Sequence, residues 1–422
     1  MINRVWIASE LYYPEETSTG YLLTRIAEGL AAYLPVSVLC AQPTYSARGT
    51  RAPAVEARHG VWIRRCRGTT LNKDVLPFRI VNLATISLAI FFGVLRRVAR
   101  GDCVIVVTNP PILPFLVAVA SKIRGARCIL LVHDVYPEAL VVAGILRPGG
   151  LAARIGGWLS LRLYRGVDRV VVLGRDMADL VARKLPRGSR KIVLIPNWAD
   201  VDEIHPDTRR DNPLLKELGL ESKWVIQYAG NMGRTHALED LVEAAKRLDG
   251  ETDVHFLFLG SGAKRAWLAN EVAAHGLRNV TLTGSRPRTD QHMFLNACDA
   301  AIISFTSGMS GVSVPSRMYN ILAAGKPIVA VCDADSELAQ VVDEESVGWI
   351  VPPGRPDLIV DAIKKARAET SDALRIRARL AAEKYTLDRV VPLYRMMIEG
   401  LEDGLSAARL AGDPEEASAR RV

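Results

Sequence analysis

The segment Ser310-Gly311-Val312-Ser313-Val314-Pro315-Ser316-Arg317-Met318-Tyr319-Asn320 has the residue types of an anion site. Small residues make a turn, and the apolar run to Ala324 reads as a helix starting near Ser316, which can serve as its N-cap. Free N–H groups at such a helix start carry partial positive charge, and Arg317 adds a full one. A diphosphate is the natural ligand; the plainer reading is a capped helix that stops at Gly325-Lys326-Pro327. A second loop, Tyr228-Ala229-Gly230-Asn231-Met232-Gly233-Arg234-Thr235-His236, combines two glycines that permit close backbone approach with Arg234 and His236, which can contact phosphate. Leu259-Gly260-Ser261-Gly262 is a third turn of this kind. Each alone is a common strand-to-helix turn, but three on one sheet edge point to a nucleotide. In the front half, His133-Asp134 follows an apolar run ending at Val132, with Glu138 nearby and Glu15-Glu16 after the first strand. A structural histidine is the competing reading of His133.

These loops require a scaffold that delivers strand ends to one edge. Short, almost wholly apolar runs at 5–8, 36–39, 61–63, 104–107, 128–132 and 169–173 alternate with helical patterns at 21–33, 80–100, 114–123, 151–164 and 176–184. After a run at 192–197 the alternation restarts, with strands at 225–228, 254–259, 280–282, 300–303, 328–331 and 348–351. Helices at 237–248, 264–275, 290–296 and 316–324 lie between them. Apolar strands alternating with helices predict doubly wound α/β domains with parallel sheets covered on both faces. Two in tandem set a cleft at the carboxyl ends of their sheets. The expected division is a basic N-terminal domain at 1–199, a polar, Pro-punctuated linker at 200–222 and a second domain at 223–385. A C-terminal helix at 386–406 crosses back to the first domain, and an Ala/Arg/Glu-rich disordered tail follows at 407–422.

A chain of 422 residues that is 49% hydrophobic and 24% charged is neither disordered nor low-complexity. Its six cysteines lie far apart with no CxxC, which argues against a zinc site or a disulfide framework and for a reducing compartment. No secretory leader is recognised at the start. The net charge of +8 hides an asymmetry: residues 1–200 carry 27 Lys and Arg against 13 Asp and Glu. A basic front half suggests a negative partner surface, surplus arginine being the blander account. Nucleic acid is disfavoured, because no aromatic stacking platform or reading helix accompanies the charge. The apolar run 80–95 is bracketed by Arg79 and Arg96-Arg97 and contains Asn82, Thr85, Ser87 and Gly93. It falls short of the ~20 residues needed to cross a bilayer. A buried or surface-lying helix is expected there.

Taken together, several segments resemble the retaining glycosyltransferases of family 4 over nearly the whole length. They are Tyr13-Pro14-Glu15, Thr108-Asn109-Pro110-Pro111, His133-Asp134-Val135-Tyr136-Pro137-Glu138, Ile195-Pro196-Asn197-Trp198, Gly230-Asn231-Met232-Gly233 and the stretch from Pro315 to Pro327. The nearest subgroup is similar to transferases of lipopolysaccharide, capsule and exopolysaccharide synthesis associated with fucosamine or fucose. The resemblance implies the GT-B fold, two Rossmann-like doubly wound α/β domains facing each other across a cleft. It implies a retaining, metal-independent transfer, with no cofactor beyond a nucleotide-sugar, UDP- or GDP-linked. His133, Asp134, Arg234 and Arg317 are the implied catalytic residues. Gly20, Gly230, Asn231, Gly233, His236, Gly260, Arg286, Val314, Ser316 and Asn320 are the implied donor-binding ones.

The family usually carries two glutamates eight positions apart, where this chain has Val312 and Asn320. Its Arg/Lys diphosphate pair aligns with Asn231 and His236, which leaves Arg234 and Arg317 as the charges. A deoxy or acetamido sugar, with fewer hydroxyls to read, would suit the missing carboxylate at Val312. The basic, apolar front half fits a polyprenyl-diphosphate-linked saccharide acceptor at an anionic membrane surface, on the cytoplasmic face. A non-catalytic nucleotide-sugar-binding relative and a nucleotide-sugar epimerase of the same fold are the alternatives.

Overall fold

The computed structural model describes residues 2–43, 51–71 and 75–401, which fall into two units. The first unit holds the chain up to Pro137, Leu151–Pro196 and the segment from Leu387; the second holds Glu138–Gly150 and Asn197–Thr386. The expected tail at 407–422 lies outside the described residues.

The first unit is built on eight strands: β1 (Val5–Ala8), β2 (Val36–Cys40), β3 (Val55–Arg58), β4 (Val61–Arg65), β5 (Cys103–Val107), β6 (Arg127–Leu131), β7 (Arg169–Val172) and β8 (Ile192–Leu194). Their order is β3-β4-β2-β1-β5-β6-β7-β8. All neighbours are parallel except β3 and β4. Central strands such as Cys-Val-Ile-Val-Val of β5 are buried at every position, as expected of strands covered on both faces. The chain order reverses between β1 and β5, whose first residues, Val5 and Cys103, are in register.

The hairpin β3–β4 adds a strand that the apolar pattern does not show. Val-Glu-Ala-Arg is half exposed, and its turn, His59-Gly60, has both residues at positive φ (45° and 79°), the twist that suits a two-residue hairpin. Glu56 of β3 receives a 2.7 Å bond from the buried Arg65 at the end of β4.

Helices Leu76–Arg97, Leu113–Arg124 and Leu151–Gly166 lie side by side in that order. The first corrects the length expected for the apolar run: it has 22 residues, and its Pro77–Arg97 portion is long and apolar enough to cross a membrane by length and composition. It is nevertheless built into the unit. Ile86, Ile90 and Val94 are buried, Gly93 packs near Leu39 of β2, and the buried Asn82 amide exchanges hydrogen bonds with the Leu71 backbone at 2.8 and 3.0 Å. The helix Leu387–Glu399 packs on Ser18–Ala31, with Val391 against Gly29.

The second unit carries six parallel strands: β9 (Trp224–Ala229), β10 (Val254–Leu259), β11 (Val280–Thr283), β12 (Ala300–Ser304), β13 (Ile328–Val331) and β14 (Gly348–Val351). The order is β11-β10-β9-β12-β13-β14. Its core joins Ile226, Tyr228, Phe256 and Phe258 of the sheet to Leu241 and Ile363 of the flanking helices. Residues 200–222, read from sequence as a linker, group with this unit. They include the helix Pro213–Leu218, capped by the Asn212 side chain, with Leu214 and Leu215 buried.

Candidate active site

In the second unit the strand order turns back between β9 and β12, and open α/β sheets bind ligands in the crevice at the carboxyl ends of such a pair. The loops that leave these two strands hold most of the residues singled out from the sequence. They are tied together by Thr306, whose N–H donates to the Thr235 carbonyl at 2.9 Å, and by the Ser304 hydroxyl, which donates to the Ala237 carbonyl at 3.2 Å. Asp333, just past β13, accepts from the Gly308 and Ser310 N–H groups at 2.9 and 3.1 Å and from the Ser307 hydroxyl at 3.2 Å. It thereby fixes the start of the turn that leads to Ser316.

Arg317 is the centre of this arrangement. Its Nη1 donates to the Ala229 carbonyl at 3.2 Å, and its guanidinium lies over the Tyr228 ring, 4.8 Å from the centroid. The Tyr228 hydroxyl donates to the Asn231 carbonyl at 2.6 Å, so the same side chain supports both the arginine and the loop. Gly230 has φ 143°, and a Cβ there would sit 2.7 Å from Arg317 Nη1. At Gly260, φ 145°, a Cβ would lie 2.0 Å from the Gly230 carbonyl oxygen. Only glycine lets these two turns and the arginine meet. Asn231 and Arg234 are exposed on the same loop, with Gly233 between them. The structure therefore brings Gly230, Asn231, Gly233, Arg234, Gly260 and Arg317 to one edge.

The N-cap reading of Ser316 is corrected, and Arg286 and Asn320 have partners of their own. Ser316 occupies the N-cap position with helical backbone angles (φ −57°, ψ −24°) and makes no side-chain capping bond, and the helix Arg317–Ala323 has only seven residues. Cationic charge at this edge therefore comes from the arginines more than from a helix dipole. Val314 and Val312 are buried, so only their backbones can offer polar groups. Arg286 stands past the edge strand β11, and its Nη2 donates to both carboxylate oxygens of Glu217, at 2.5 and 2.7 Å, so its charge is paired there. Asn320 is buried with its amide turned to Asp200: it accepts from the Asp200 N–H at 2.8 Å and donates to Oδ2 at 3.0 Å. Arg288 completes this knot with a 2.8 Å bond to the same carboxylate. A free ribose-reading amide at Asn320 is thus not what the structure presents.

His236 is buried, and burial, reinforced by Arg317 and Lys264, holds its pKa down to about 3; any phosphate contact it makes is that of a neutral ring. Lys264, which the sequence reading passed over, donates to the His236 carbonyl at 2.7 Å and to Glu239 at 2.8 Å. Its signal was there: it follows the Gly260–Gly262 turn by two residues.

In the first unit the corresponding crevice lies between β1 and β5. His133 and Asp134 follow β6, and both their N–H groups donate to the Thr108 hydroxyl, at 3.1 and 3.3 Å. Thr19, in the first turn of the helix after β1, places its hydroxyl 3.2 Å from His133 Nδ1. Gly20, beside it, has its N–H donated to the capping Thr17 hydroxyl at 3.3 Å. Burial lowers the His133 pKa to about 4, so the ring is neutral at pH 7 and serves as a hydrogen-bonding group.

A pH dependence follows from the buried imidazoles. His236 and His255, held near 3 and 4 against about 6.5 when unfolded, bind fewer protons folded than unfolded. Their contribution is fully present above about 6.5 and is lost as pH falls toward 4, at up to about 1.4 kcal/mol per pH unit for each. Urea denaturation at pH 7.5, 6 and 5 is expected to show this fall, and His255→Gln should make it shallower. A midpoint unchanged down to pH 5 would contradict the assignment.

Comparison with known proteins places these features. Residues 213–384 match the family described as glycosyl transferases group 1, and residues 20–198 match the glycosyl transferase 4-like domain. The probable glycosyltransferase WbjE of Pseudomonas aeruginosa is 32% identical over 366 residues, covering 84% of this chain and 86% of that one. The putative colanic acid biosynthesis glycosyl transferase WcaI of Escherichia coli K12 is 26% identical over 369 residues, covering 84% and 90%. The crystal structure of Anabaena Alr3699/HepE in complex with UDP and glucose superposes with a TM-score of 0.71 at 13% identity, over 94% of this chain and 99% of that one. At that identity the likeness is one of fold.

Proposed function

Because the chain belongs to the group 1 glycosyltransferases, with a glycosyltransferase 4-like first half and the GT-B fold, we propose a specific transfer for it. It moves a sugar from a UDP- or GDP-sugar to a hydroxyl of a lipid-linked saccharide, with retention at the anomeric carbon and without a metal, during assembly of a surface polysaccharide. The name of the E. coli relative supports the polysaccharide, and the UDP and glucose in the Anabaena structure support the donor class. A polyprenyl diphosphate is the lipid we assign to the acceptor, which puts the enzyme at the anionic inner face of the membrane.

The observation that carries the reading is Arg317, preset on Ala229 and Tyr228 at the β9–β12 crevice beside two glycine turns. Departure of the nucleotide builds negative charge on the outer phosphate, and fixed cations that need no reorganisation stabilise it best. Arg317, with the exposed Arg234, is assigned that work. In the front-face displacement we favour, the glycosidic bond to the diphosphate oxygen breaks as the acceptor oxygen bonds to the same face of the anomeric carbon. The acceptor proton passes to the departing phosphate, so no protein nucleophile is needed. His133, neutral, and Asp134 are assigned to the hydroxyls of the transferred sugar.

The test is a screen of UDP- and GDP-sugars by thermal shift, followed by incubation of the stabilising donor with polyprenyl-diphosphate saccharides and determination of the product's anomeric configuration by NMR. An α-linked product from an α-linked donor is expected. An inverted product, or conversion of the donor alone to an epimer, would overturn the reading.

A further inference from the structure

We propose that the outward faces of helices Leu76–Arg97, Leu113–Arg124 and Leu151–Gly166 together form a docking face for an anionic lipid bilayer. This rests on the membrane reading above and gives it a surface of three packed helices in place of one apolar run.

The outward side of a surface helix in a water-soluble unit is ordinarily polar. Here it is apolar at helical spacing on each of three neighbours. Leu88 and Phe92 are 47% and 48% exposed on the first helix, Val119 and Ile123 are 54% and 64% exposed on the second, and Ile155 and Trp158 are 50% and 55% exposed on the third. Scattered exposed apolar residues are normal, whereas rows on adjoining helices mark an interaction surface.

Charge identifies the occupant. None of the three helices contains an aspartate or glutamate. The first carries three arginines, the second Lys122 and Arg124, and the third three arginines. Two of these cations lie against exposed aromatics, Arg96 near Phe92 and Arg162 over Trp158 at 5.1 Å, so apolar body and charged tip belong to the same patch. A second copy of this face would set cations against cations, whereas a leaflet offers acyl chains to the apolar rows and phosphates to the arginines. The long apolar helix does not need to cross: with Asn82, Ile86, Ile90 and Val94 held by the unit, it lies in the interface with its other side immersed.

Sedimentation with vesicles tests this without donor or acceptor, so its failure leaves sugar transfer standing, and the reverse. The wild type is expected to bind vesicles of equal phosphatidylcholine and phosphatidylglycerol but not phosphatidylcholine alone, with high salt weakening the binding. Phe92→Glu and Trp158→Glu, each with an unchanged unfolding midpoint, should lower vesicle affinity about tenfold or more. Arg96→Glu with Arg97→Glu should weaken binding at low salt and much less at high salt. Equal binding to both vesicle types, or full binding by Phe92→Glu and Trp158→Glu, would overturn the proposal. So would a dimer that Trp158→Glu splits, without vesicle binding.

Discussion

Arg317→Ala is expected to lower kcat/KM for sugar transfer by about 10²–10³-fold, the usual loss when one preorganised charge-stabilising donor is removed. The expectation rests on how little the side chain has to move. It is already held by the Ala229 carbonyl and the Tyr228 ring, and a Cβ on Gly230 would meet it at 2.7 Å. Arg317→Lys should recover only part of the loss, because a point charge cannot reproduce the planar fork that both stacks and donates. Initial-rate kinetics with the identified donor, paired with calorimetry on nucleoside mono- and diphosphates, separates the causes. If the arginine serves the outer phosphate, diphosphate affinity falls and monophosphate affinity holds. Unchanged kcat/KM in Arg317→Ala would remove this residue from the mechanism.

Gly260→Ala should damage the fold and the site together. The added carbon would stand 2.0 Å from the Gly230 carbonyl oxygen and 3.0 Å from its carbon, both backbone atoms, at a φ of 145° that alanine resists. Backbone strain plus forced displacement of the β9 loop is worth about 2–4 kcal/mol. For a unit of this size that is about 5–15 °C in unfolding midpoint. Donor binding should fall as well, because the displaced loop carries Asn231, Gly233 and Arg234. Gly276→Ala is the control: its φ is 60° but nothing lies within 4 Å of the new carbon, so only the smaller conformational cost is expected. Differential scanning calorimetry of the two variants decides the matter, and equal midpoints would show that the close approach at Gly260 is dispensable.

The parallel sheets were legible because a strand buried on both faces must be almost wholly apolar, as in Val254–Leu259, where His255 is the one polar residue, and Ile328–Val331, where reading and structure coincide. The glycine turns were legible for a related reason, since their positions follow directly from strand ends. The β3 strand was not, because Val-Glu-Ala-Arg acquires its identity only by pairing with β4. Site residues whose role depends on a distant partner were the hardest to read. Asn320 is committed to Asp200, 120 positions away in sequence, and Arg286 to Glu217, 69 away. Neither spacing leaves a local trace. Ser316 looked like a cap by residue type, but capping depends on an extended backbone that the preceding turn does not supply.

The helix Leu387–Glu399 belongs to the first unit although all of the second precedes it in the chain. Val390, Val391, Tyr394, Met397 and Ile398 are buried there, and the cover it gives the helix Ser18–Ala31 is synthesised only after the whole of the second unit. Most multidomain chains complete their N-terminal part first as they leave the ribosome. Here the first unit cannot be completed until the second has been made. The second unit can close while the first still waits for this helix, leaving an apolar side of Ser18–Ala31 uncovered in the meantime. Synthesis therefore includes an interval in which the unit begun first is still unfinished, and in which a holding chaperone has something to hold.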